Sequence, residues 1–311
     1  MVTSISLTPN NSAYYRVMPD DKNMQRQLTL PQAGMGLFSA YAVYKGSPFI
    51  LKGVSEKFIN YSKDIYSQMK NKNQIKQFEG AVDKIFESSK LKEKGVQIID
   101  VDKTSFEELI DIITKQKKIK IPKKYKEELM SNYSIIKMGR NSCFMPGTNI
   151  ILANKNSHEI LALPHEMGHA INYNFKGLGR TLNNMRQITH VAPFWIILFA
   201  LLEKGQKINE TADKLTNFIK DNCGKLMFLV HLPVLAEEGL ASINGIKHAK
   251  NFLPKDVVRN LSKRSFAAWL TYFTHAALIS FGASLAPKVG DSMDNYFVSK
   301  NSKSFNAFYK T

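Results

Sequence analysis

The pentapeptide His165-Glu166-Met167-Gly168-His169 constrains this chain more than any other stretch of it. On a helix, residues four apart share a face. Two imidazoles can then converge on one metal ion, while Glu166 turns aside to where it can hold a water. The flanks support a helix: Pro164 stands directly before His165, Ala170-Ile171-Asn172-Tyr173 continues the pattern, and Gly177 and Gly179 are expected to end it. Gly168 is poor for helix stability, so its place between the two His residues points to close approach by another backbone or by a substrate. Residues 157–163 are apolar and helix-compatible, with His158 and Glu159 read as capping or solvated residues.

Upstream, residues 147–154 (GTNIILAN) form a short β-favouring run bounded by Pro146-Gly147 and Asn154-Lys155-Asn156. Such a strand is expected to offer an exposed edge that pairs with an extended peptide over the metal. Residues 96–101 (VQIIDV) read as a second strand. Thr104 or Ser105 then caps a helix with Glu107 and Glu108 in its first turn, and Phe106, Leu109, Ile110 and Ile113 face the sheet. Residues 53–92 carry helical periodicity (Phe58, Ile65, Met69, Phe78, Val82, Ile85) and are expected to form two amphipathic helices flanking residues 70–73. Strand, helix, strand and metal helix together predict an α+β, mostly helical fold.

Zinc needs a third protein ligand, with one position left open for water. The extended pattern HExxHxxGxxH is absent, because residue 172 is Asn and residue 175 is Phe. The remaining candidates are Glu237 and Glu238, an adjacent carboxylate pair that follows an apolar run in residues 232–242 (LPVLAEEGLAS).

With PHEMGHAI at residues 164–171 followed by LPVLAEEGLAS, the chain resembles the membrane-embedded gluzincin zinc metallopeptidases. These comprise the HtpX and CAAX-prenyl protease family and the neutral zinc metallopeptidases of the YugP type. The resemblance covers about residues 145–245. It implies a zincin-like lobe built of the HExxH helix, a small sheet and C-terminal apolar helices. It also implies one Zn²⁺ held by His165, His169 and Glu238, with Glu237 in reserve. Ser242 falls one turn after Glu238, where HtpX-like enzymes carry Asp; it can hydrogen-bond a ligand from behind, and the departure leans towards the YugP-like group.

Three apolar stretches bear on location: residues 187–202, 226–236 and 265–287. Only the third reaches the ~20 residues that a bilayer core requires of a helix. The first two, each holding a Pro and a His, read as a tilted or re-entrant hairpin or as buried helices. The intervening segments 203–224 and 237–264, read as loops, are respectively neutral and basic, and the region before 187 is strongly basic. This alternation fits a positive-inside arrangement with the metal helix on the cytoplasmic side. The N-terminus lacks the basic and apolar regions of a signal peptide, and residues 33–51 read as a loop and short helix. Cys143 and Cys223 suggest no disulfide framework. The formal net charge of +17 includes a lysine cluster at residues 115–126. Without a nucleic-acid-binding motif beside it, that cluster reads as a solvated surface or one facing anionic lipid, and no nucleic-acid partner is expected.

The expected organisation is a helical region at 1–95, a zincin core at 96–186, apolar helices carrying the third ligand at 187–287 and a polar tail at 288–311. The expected function is a membrane-associated zinc endopeptidase acting on a protein or peptide, with Glu166 as general base and a lipid bilayer as partner. His231 and, behind it, Tyr173 are candidates for a transition-state donor. Two rival classes are a non-enzymatic membrane or scaffold protein with a degenerate zincin fold, and a soluble secreted or effector-type zinc protease.

Overall fold

A computed structural model describes residues 52–308 of the chain, except 72, 118–120, 187 and 202–209. The expectations for residues 1–51 and for the end of the tail lie outside the described residues. Helix α1 (52–71) and α2 (Gln74–Ser88) lead through a short 3-10 turn to strand β1 (Gln97–Asp100). Helices α3 (Phe106–Lys117) and α4 (Lys123–Lys137) precede β2 (Cys143–Met145) and β3 (Ile150–Ala153). A 3-10 turn (His158–Ala162) opens α5 (Leu163–Phe175), followed by α6 (Gly177–Met185), α7 (Ile188–Leu201), α8 (Glu210–Ala249) and α9 (Lys255–Phe308). The described residues are mostly helical with one three-stranded sheet, as the sequence predicts.

The N-terminal half of α3 shows why local sequence is legible here. Ser105 and Glu108 form a reciprocal cap: the Glu108 N–H donates to Ser105 Oγ (3.2 Å), and the Ser105 N–H donates to Glu108 Oε2 (2.7 Å). Phe106, Leu109 and Ile113 then bury against Ile99, Ile150 and Leu152 on one face of the sheet. On the other face, Ile151 and Ala153 pack with Met167, Ala170 and Ile171 of α5 and with Phe78 and Ile85 of α2. The sheet is thus a middle layer, and α5 lies directly on it.

The strand before the metal helix departs from expectation. The sheet order is β1-β3-β2, with β3 parallel to β1 and antiparallel to β2. Residues 150–153 therefore form the central strand with both edges paired, and β1 and β2 are the edges. The reason is compositional: Ile-Ile-Leu-Ala is apolar at every position, all four residues are buried, and a strand covered on both faces needs no alternation. His158 and Glu159 also differ from their reading. Ser157 supplies the cap, accepting from the Glu159 N–H (3.1 Å), while Glu159 is buried in an ion pair with Arg264 of α9 (2.8 Å). A carboxylate this deep requires a cationic partner, and here the partner ties the start of α9 to the entry of α5.

The second and third apolar runs are parts of longer helices, while the described residues of the first form α7. Residues 226–236 lie inside the 40-residue α8, which Pro233 does not interrupt, and residues 265–287 lie inside the 54-residue α9. Of the segments taken as loops, 237–249 belongs to α8 and 255–264 to α9, and α9 continues into the segment read as a polar tail. Among the described residues one stretch, Lys214–Ala249, is long and apolar enough to cross a membrane: it has 36 residues and holds an 18-residue window with a mean hydropathy of 1.5. The 265–287 run, expected to qualify, does not, because Ser, Thr, Tyr and His recur through it.

Helix α8 crosses α5 at backbone contact. A Cβ on Gly168 would sit 1.9 Å from the carbonyl oxygen of Ala241, and one on Gly245 would sit 1.8 Å from that of Pro164. Both clashes are with backbone, which has nowhere to go. Close approach of another backbone therefore accounts for Gly168. Gly168→Ala or Gly245→Ala is expected to force the helices apart at a cost of about 1–3 kcal/mol or more, seen as a lower melting temperature. Gly80→Ala, on an exposed face of α2 with nothing near, is expected to stabilise by about 0.5–1 kcal/mol.

Candidate metal centre

Residues Glu238, Ala241, Ser242 and Gly245 recur at helical spacing, so the face of α8 that touches α5 also carries a carboxylate and a hydroxyl. Across from it, α5 presents His165 and His169 one turn apart. The three side chains converge. His165 Nε2 lies 3.0 Å from His169 Nε2 and 3.2 Å from Glu238 Oε2, and His169 Nε2 lies 3.4 Å from the same oxygen. The set His165, His169 and Glu238 offers one ligand atom from each residue within a common reach.

The protonation pattern behind these atoms decides what the convergence means. Ser242 Oγ donates to the Glu238 carbonyl (3.0 Å), leaving it to accept from His165 Nδ1–H (3.0 Å). His169 Nδ1–H donates to Glu237 Oε1. In the neutral rings the Nδ1 protons are then spent on partners behind them, and the Nε2 lone pairs face each other. Glu238 Oε2, fully buried, has no hydrogen-bond partner among the described residues. Three lone pairs facing one point repel unless a proton or a metal ion lies between them. A tetrahedron with ~2.05 Å bonds has edges of about 3.3 Å, so the three separations match donors around a zinc-sized ion. The residues present fit the metal that the motif implies.

Glu237 and Glu238 therefore divide the labour that the sequence left open between them. Glu238 faces the common point; Glu237 orients the His169 ring from behind, the carboxylate–histidine arrangement that raises ligand basicity. Ser242 does the equivalent for His165. Arg186, at the C-terminal end of α6, reaches both acids: Nη1 donates to Glu237 Oε2 (3.2 Å) and Nη2 to Glu238 Oε1 (2.9 Å). No local pattern marks this arginine, because its partners lie 51 and 52 residues away.

Glu166 is buried and stands apart from the triangle. Its Oε2 accepts the Phe144 N–H of the edge strand β2 (2.8 Å), which aims the carboxylate along the sheet edge. Burial pushes the Glu166 carboxyl up from its ordinary value, against the pull of the two imidazoles. Burial pulls the His169 imidazole down, and Glu238 and Glu237 outweigh it, so the ring titrates well above its ordinary range when no metal is bound. Of the two residues considered as transition-state donors, His231 is engaged elsewhere. His231 donates from Nδ1 to the Met227 carbonyl (2.8 Å) and faces the His275 ring. The Tyr173 ring packs edge-on to Phe144 with Arg180 over it. Tyr272 of α9, which the sequence did not single out, lies within electrostatic reach of Glu238, Arg186 and Glu166.

Replacing the two acids separately is expected to give different losses. Glu238→Ala removes one of the three converging donors and is expected to abolish stoichiometric zinc binding. Glu237→Ala is expected to weaken it by about 10–100-fold. Because a proton on His169 competes with zinc and the neighbouring carboxylates favour the protonated ring, apparent zinc affinity is expected to rise with pH, by at most about tenfold per pH unit, until the ring's own titration is passed. Calorimetry in buffers of different ionisation enthalpy reads the released proton directly. No protein-family model matches the chain, and neither does any curated protein or solved structure.

Proposed function

We propose that the protein is a membrane-associated zinc endopeptidase of gluzincin type, with a zincin-like lobe formed by the sheet, α5 and α8. The observation that supports this reading is the convergence of His165, His169 and Glu238, with both imidazole tautomers set by hydrogen bonds from behind. A bound zinc would supply Lewis acidity toward a carbonyl and bring the ionisation of water near neutrality. The rest falls to the chain. Glu166, buried beside the triangle with its carboxyl pushed up, is the group suited to take a proton from water and hand it to a leaving amine. Its bond to the Phe144 N–H keeps it on the side of β2, so an extended peptide lying along that edge passes between base and metal ligands.

Membrane association rests on the surface of α7, α8 and α9. Phe194, Trp195 and Phe199 of α7, Phe218 and Leu229 of α8, and Phe266 and Phe281 of α9 are exposed. So extensive an apolar surface marks an interaction site rather than a water-facing one, and Lys214–Ala249 has the length and hydropathy for a span. With the chain's strongly basic balance, the occupant that fits is an anionic lipid surface. These exposed apolar faces favour this reading over a soluble effector-type protease.

Glu166→Gln is expected to retain zinc and lose peptide cleavage by at least about 10²-fold, the lower end of what a general base contributes. Zinc bound with no turnover in wild type or variant would support the degenerate, non-enzymatic class instead. On cell fractionation the chain is expected to resist alkaline carbonate and to be released by detergent; release by carbonate alone would contradict the integral assignment.

A further inference from the structure

Arg186 is unexplained by the three-ligand site and by the general base, yet it bonds both of the acids beside it. We infer that Arg186 is the positioning residue that makes Glu238 a one-oxygen ligand and couples it to Glu237; this rests on the metal reading above. The geometry carries the inference. Each carboxylate has one oxygen on the arginine and one on the histidine side: Glu238 gives Oε1 to Nη2 and keeps Oε2 for the common point, and Glu237 gives Oε2 to Nη1 and Oε1 to His169. Without the guanidinium, Glu238 could rotate both oxygens onto the ion, and Glu237 would lose the anchor that fixes its aim at His169. Only a planar fork spans two adjacent carboxylates at once; an ammonium is a single point charge.

The formal charges agree. With Glu166, Glu237 and Glu238 ionised, Arg186 and a divalent cation make a neutral set in a site whose two ligand-side acids are almost fully buried. Arg186 is also held in place by its own neighbours. Its carbonyl accepts from the Thr189 hydroxyl (2.6 Å) at the first turn of α7, so the clamp is anchored to the helix that carries the exposed aromatic face.

Two effects oppose each other and make the inference testable. Removing a positive charge near a cation site should by itself tighten metal binding; losing the clamp should weaken it. The full-length chain in detergent, titrated with Zn²⁺ against a chromophoric chelator and with Co²⁺ by visible absorption, separates them. If the clamp dominates, Arg186→Gln lowers zinc affinity by about 10–100-fold and weakens the Co²⁺ visible bands, as a second carboxylate oxygen enters the coordination sphere. Arg186→Lys, which keeps the charge, is then expected to restore less than half of that loss. Equal or tighter binding with an unchanged Co²⁺ spectrum in Arg186→Gln overturns the inference. Should that variant not fold, wild-type affinity in Arg186→Lys overturns it equally. Failure of the wild-type chain to bind zinc overturns the metal reading itself, and the inference with it, which distinguishes the two failures.

Discussion

The contact on which the rest depends is the crossing of α5 and α8 at backbone distance. Helices normally pack with side chains between them and axes about 8–10 Å apart. Here Gly168 lies against Ala241 and Gly245 against Pro164, with no room for a methyl group at either place. Two glycines, one on each helix, bring the ends of short side chains into register. With an ordinary separation, Glu238 would fall short of His165 and His169. The glycine between the two histidines is thus a packing residue, and its cost to helix stability is offset by the proximity it permits.

Proximity creates an electrostatic problem that the surrounding residues solve. Adjacent carboxylates on a largely apolar helix are unfavourable unless each oxygen is engaged. Arg186 takes one oxygen from each acid, His169 takes another, and the fourth is left facing two imidazole lone pairs. The same logic recurs at Glu159 and Arg264, where a buried pair ties the last helix to the turn that launches α5. In both places charge inside the fold joins elements distant in sequence, and in both the geometry is specific rather than merely neutralising. The sheet contributes in the same way: the Phe144 N–H, unpaired within the ladder, is used to aim Glu166.

Much of the local architecture was legible. The α3 cap, the amphipathic pair before it, the first strand and the helix bearing the HExxH motif follow from periodicity, capping chemistry and β-branched runs, all short-range effects. The strand order was not, although the signal existed: four apolar residues without alternation in residues 150–153 read as a strand covered on both faces, hence an inner strand. The second and third apolar runs are shorter than their helices, because charged residues such as Lys225 and Glu237 bound the hydropathy but do not end a helix whose backbone bonds continue.

From the amino-acid sequence alone came the residues able to ligate a metal, the helix that pairs two of them and the near-equivalence of Glu237 and Glu238. Local physics reaches about one helical turn, which is enough to align His165 with His169 and no further. The resemblance favoured Glu238 and gave Ser242 a supporting place; only the tertiary structure set Glu237 behind the His169 ring and brought Arg186 across to both acids. Those choices depend on how α8 is rotated against α5, and that rotation is set by glycines and buried pairs whose partners lie tens of residues away.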